Sequence, residues 1–150
     1  MRMTLLCSAL FSLTMAQAAA ANTETPKFAV QAPSEKTMSL AAIEDKWGIR
    51  VERLKMTAAG YMVDFRFRVL DPKKAGELFR RDVRPYLVDQ VSGAKLPVPA
   101  SPKVGPLRTT NPPIADKVYF IEFGNRGWVK TGTMVTVVVG DFKLENMIVQ

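Results

Sequence analysis

The chain reads as an all-β protein, an antiparallel β-sandwich of about seven strands with one or two short helices. Three observations lead there. From Ile49 onward, apolar and polar residues alternate with a period of two; turn residues recur at short spacing; and β-branched and aromatic residues fill the runs between them. Sheets that each bury one face in this way stack in pairs around a shared core.

The chain opens with a segment of a different kind. Arg2, an apolar stretch from Leu5 to Met15 and the small residues Ala16-Gln17-Ala18 read as a secretory signal peptide over residues 1–21. The apolar stretch falls short of the ~20 residues a bilayer span needs, so no membrane span is expected after cleavage. The only cysteine, Cys7, leaves with the signal, and the sequence contains no histidine. Residues 22–48 read as a polar N-terminal arm with Pro26 and Pro33, ending in a short helix. That helix runs from Ser39 as N-cap to Trp47, with Leu40, Ile43 and Trp47 on one stripe and Gly48 as its stop.

The sandwich domain occupies residues 49–150. Its first strand, Ile49–Met56, changes parity between Val51 and Leu54, which predicts a bulge near Glu52-Arg53. After the turn Thr57–Gly60, the run Tyr61–Leu70 places Tyr61, Val63, Phe65, Phe67 and Val69 on one buried face. Asp64, Arg66 and Arg68 fall on the other, as a solvated charge ladder. Asp71-Pro72 opens a helix with Ala75, Leu78 and Phe79 buried and Arg80 and Arg81 near its C-terminal end. Lys73–Glu77 and Glu77–Arg81 pairs, four residues apart, would partly neutralise it.

Two short strands follow, Tyr86–Gln90 and Ala94–Val98, turned by Ser92-Gly93. The proline-rich stretch from Pro97 to Pro113 cannot form a central strand, because proline removes ladder donors. It reads as a loop, either presented to a partner or wrapped across a sheet edge. Strands Lys117–Phe123, Thr133–Val139 and Phe142–Val149 complete the count, the last two joined through Gly140-Asp141. In strand number and turn spacing this pattern is immunoglobulin-like in general shape. The Cys–Trp–Cys core signature of true immunoglobulin domains is missing, and the likeness carries no activity with it.

Composition narrows the chemistry. Without histidine or a mature cysteine, thiolate and imidazole metal sites and His-dependent triads lose their residues, and no cofactor or metal is expected. The remaining catalytic option is a carboxylate pair drawn from Asp64, Glu122 and Asp141, as in an enzyme acting on envelope glycans. A purely structural subunit is a third reading. The net charge of +7 favours acidic partners. With an export signal and no recognition motif, nucleic acid is not among them.

The leading expectation is therefore an exported, non-catalytic binding or assembly module of the bacterial envelope, periplasmic or secreted, that holds an acidic protein or polymer. Its candidate partner-binding residues are Arg80, Arg81 and Arg84, then Arg108 in the proline stretch, then Arg126 and Trp128 in the loop after Phe123. The competing readings are a solvated face for the first three and a Trp128 folded back over the sandwich end.

Overall fold

Ser39 starts the described part of the chain by capping a helix. The computed structural model describes residues 39–150; the expected signal peptide at 1–21 and the expected arm from 22 to 38 lie outside the described residues. The Ser39 hydroxyl accepts from the Ala42 N–H at 3.2 Å, and α1 runs over Leu40–Trp47. Gly48 ends it in the left-handed region (φ 62°), donating its N–H to Glu44 O. A Cβ there would come within 2.8 Å of the Asp71 backbone, so the stop requires glycine. Ile43 and Trp47 enter the same core as the strands, with Trp47 edge-on to Phe142 at 5.4 Å. Leu40 stays exposed, a departure from the expected stripe: it sits in the first turn, beyond the reach of the sheets.

Strand β1 (Ile49–Thr57) pairs antiparallel with β2 (Met62–Val69), and the register shifts between Val51 and Arg53. Glu52 is the extra residue. The bulge lets Ile49 and Leu54, on opposite parities, both reach the core. Val63, Phe65, Phe67 and Val69 are buried as the alternation requires. Tyr61 is not: it precedes the strand and is 74% exposed.

α2 (Pro72–Ala75) is capped by Asp71, whose Oδ1 accepts from Lys73 N and Lys74 N. It tightens into a 3-10 turn over Gly76–Phe79 that buries Leu78 and Phe79. The expected helix is thus shorter, and its charge pairing differs. In a 3-10 turn residues three apart eclipse each other, so Glu77 binds Arg80 at 3.2 Å, and neither of the expected four-apart pairs forms.

Strands β3 (Tyr86–Asp89) and β4 (Lys95–Pro97) form the next hairpin. β5 (Ala100–Ser101) and β6 (Gly105–Pro106) make a two-residue ladder inside the proline stretch. β7 (Val118–Gly124), β8 (Met134–Val139) and β9 (Phe142–Ile148) follow. Two main antiparallel sheets result, ordered β1-β2-β7 and β4-β3-β8-β9. Their inward residues form one core with Phe65, Phe67, Phe123 and Phe142 at its centre.

Both edges of the three-stranded sheet are partly closed. Gln150 exchanges hydrogen bonds with Leu54 and Met56 along β1. On the other side, Glu122 N donates to Leu107 O at 3.0 Å, and Arg108 bridges Ile121 of β7. The proline stretch is therefore a wrap across a sheet edge, with Arg108 at its inner end.

Candidate functional site

The six residues singled out from the sequence separate into two places. Arg81, Arg84 and Arg108 line a pocket of about 310 Å³, whose remaining wall is Val83, Pro85, Pro97, Val98, Ala100 and Pro106. It lies where β3 begins and β4 ends, floored by proline rings that need no hydrogen-bond partners. Arg126 and Trp128 are not part of its lining and stand in the loop after β7, which begins just past Gly124, itself packed beside Pro97 and Pro99. Arg80 belongs to neither: its guanidinium is occupied by Glu77 and Asp82. That double pairing raises the pKa of Arg80 and holds Asp82 below the usual carboxylate range.

Arg108 is the unusual member of the pocket. Expected on an exposed loop, it is only 8% accessible. Its Nη1 donates to Leu78 O at 3.4 Å and its Nη2 to Arg80 O, tying the proline stretch to the 3-10 turn. Burial lowers its pKa, while nearby Asp82 acts the other way. No carboxylate bonds to it among the described residues, and none bonds to Arg81 or Arg84. A buried guanidinium without a direct anion thus lies beside two exposed ones, and guanidinium groups pair with carboxylate and phosphate oxygens.

The carboxylate candidates have a different fate. Asp64 and Glu122 are register partners on the outer face of the three-stranded sheet, whereas Asp141 sits in the turn between β8 and β9. Asp64 is not the solvated charge its alternation predicts: it is fully buried. Arg53 and Arg66 close over it, both bonding Oδ2, at 3.1 and 2.8 Å, and Oδ1 has no partner. Arg53 reaches this position because the Glu52 bulge sets it opposite Arg66. Glu122 accepts from the Thr57 hydroxyl at 3.3 Å. Burial pushes its pKa up, and the neighbouring Asp64 adds to the shift.

Sequence reasoning missed two polar clasps. Asn125, buried, accepts from Gly127 N and Val129 N and donates to Gly60 O and Val129 O, holding the Arg126–Trp128 loop against the β1–β2 turn. Asp89 does the same for the β3–β4 turn, accepting from Val91 N, Ser92 N and the Ser92 hydroxyl. The Ser92 contact, with the two backbone donors, keeps its pKa below the ordinary range. The signal available was Asn125 two residues before Gly127 and Asp89 three residues before Ser92, short polar side chains at the start of a turn. Trp128 does not fold back: half of it remains accessible.

Among the described residues no group of three or more His, Cys, Asp or Glu could hold a metal ion, and no helix is long and apolar enough to cross a membrane. Comparisons of the chain with protein-family models, with curated proteins and with solved structures find no match.

Proposed function

We propose that this chain is an exported, non-catalytic binding module of the bacterial envelope, and that the Arg81–Arg84–Arg108 pocket grips an acidic protein or polymer. The observation that carries this reading is the buried Arg108 guanidinium, satisfied by two main-chain carbonyls yet lacking a carboxylate, at a pocket with two further free arginines. Guanidinium forks match carboxylate and phosphate oxygens, and the proline and valine wall would take the apolar part of a ligand. The export segment supports a periplasmic or secreted location. The strand order β1-β2-β7 and β4-β3-β8-β9 around one core supports reading the domain as a β-sandwich of immunoglobulin-like shape.

The test is titration with polyglutamate and with polyphosphate at low and high salt. Binding should weaken as salt rises and should be lost in the Arg81→Ala/Arg84→Ala variant. Those side chains are exposed, so stability should stay within about 0.5 kcal/mol of the parent. Binding by the variant at parental strength would remove the pocket from consideration.

A second reading, a carboxylate-dependent enzyme acting on envelope glycans, would use Asp64 and Glu122, the pair that shares a register position. The two guanidiniums clamped on Asp64 count against a proton-transfer role.

A further inference from the structure

Topology gathers a different surface around the loop after β7. Main-chain hydrogen bonds tie the β1–β2 turn, the end of β3 and the end of β9 to successive points of the β7–β8 loop and the start of β8. Asn125 N donates to Tyr61 O at 2.8 Å, Gln90 N to Met134 O at 3.1 Å, and Val149 N to Thr133 O at 3.1 Å. Met134 and Ile148 are register partners.

Three large apolar side chains protrude from separate tips of this surface: Tyr61 (74% exposed), Val91 (89%) and Trp128 (51%). Met134 and Ile148 extend the same surface at the strand termini, where they too are exposed. Exposed apolar side chains rimmed by polar residues mark an interaction surface. They are not loose: the Asn125 and Asp89 clasps hold their turns in place.

The turns themselves carry charge of one sign, and the nearby Glu122 carboxylate is taken by the Thr57 hydroxyl. Residues 58–61, 90–93 and 125–133 contain Arg126 and Lys130 and no Asp or Glu. Among the described residues neither basic side chain has a carboxylate partner. Asp89, the nearest acid in these turns, is buried with its oxygens committed to the clasp. Aromatic and aliphatic tips carried on several turns, flanked by unpaired cations, match the layered chemistry of a lipid surface. Rings and methyls enter the headgroup–acyl boundary while the cations meet phosphates.

We infer that this surface of the molecule docks peripherally on an anionic lipid bilayer, inserting Tyr61, Val91 and Trp128 and pairing Arg126 and Lys130 with lipid phosphates. The inference stands apart from the arginine pocket, which occupies the other end of β3.

The fluorophore needed to test it is built in. The chain has two tryptophans, and Trp47 lies in the core. The full chain is mixed with phosphatidylcholine vesicles with and without about one-third phosphatidylglycerol, and Trp128 emission and its quenching by brominated acyl chains are recorded. Residues 1–21 are common to all variants, so differences between them report the tip. Blue-shifted, quenchable emission is expected on anionic vesicles and is absent from Trp128→Phe. Arg126→Glu/Lys130→Glu should weaken the response about tenfold or more, as should Tyr61→Ser/Val91→Ser. Arg81→Ala/Arg84→Ala should leave it unchanged. Unshifted Trp128 emission on anionic vesicles would overturn the inference. So would equal binding by the charge-reversed variant, an equal loss in the pocket variant, or the same shift elicited by soluble polyglutamate without lipid.

Discussion

Asp64 and Arg108 are both buried charges beside the same three-stranded sheet, and they are stabilised in opposite ways. Asp64 is an anion covered by two cations, Arg53 and Arg66, whose guanidiniums remain partly wet. Arg108 is a cation held by two carbonyl oxygens, with an open pocket in place of a counter-ion. A neutralised cluster has little to offer a ligand, because its field is already cancelled. An unneutralised one keeps its field, and the pocket directs that field toward whatever enters. This contrast is why the arginines rather than the carboxylates are read as the binding site.

The contrast can be broken most forcibly at Asp64. Arg53→Ala/Arg66→Ala leaves a buried carboxylate uncompensated and should destabilise the protein by about 3 kcal/mol in chemical denaturation. A loss within error would show that Asp64 is reached by water and is no mirror of Arg108. Next in size, Arg108→Met keeps much of the volume but abandons the Leu78 and Arg80 carbonyls. About 2 kcal/mol should be lost, together with polyanion binding. Retained binding in that variant would mean that Arg81 and Arg84 suffice and that burial of the third arginine is incidental.

The smallest effect has the opposite sign. Glu122 faces Asp64 across the β2–β7 pair, with Thr57, Arg66 and Arg53 around it, and its pKa is raised. A raised carboxyl binds its proton more tightly in the folded than in the unfolded chain. Ionisation therefore costs stability, and the cost grows as pH rises through the folded pKa. Glu122→Gln should stabilise the protein at neutral pH by a few tenths to about 1 kcal/mol. The gain should fade as pH falls below the ordinary carboxylate range. Melting curves at neutral and acid pH would check it, and a pH-independent difference would place the effect in packing.

Strand alternation made much of the fold legible. Val63, Phe65, Phe67 and Val69 follow it without exception, and the parity change before Leu54 located the bulge, because a buried face leaves few alternatives. What escaped was decided by long-range closure. Asp64 looks solvent-facing within its own strand and is covered only because the bulge aligns Arg53 with Arg66. Arg108 lies in a stretch with no period, and its burial depends on that stretch folding back over β7. Tyr61 continues the alternation numerically, but the turn at 58–60 releases it before pairing begins. In the helix after Asp71, the switch to 3-10 geometry moved Glu77 from the expected Arg81 to Arg80. Of the six residues named from charge and aromaticity, Arg81, Arg84 and Arg108 line one pocket, and that grouping was visible only in the folded chain.

Glu52 has a consequence of its own. Its side chain bonds Arg68 at 2.9 Å on the exterior, an exposed pair, so exchanging it for alanine should be nearly silent. Deleting it is another matter. Val51 already faces Phe67 and Arg53 already faces Arg66, so without Glu52 the strands would pair in unbroken register, with Ile49, Val51, Leu54 and Met56 still inward, and β1 would lose the local bend and added twist of the bulge. The spacer, not the chemistry of the residue that fills it, sets the bend of the strand, while the turn and the inward residues set its register.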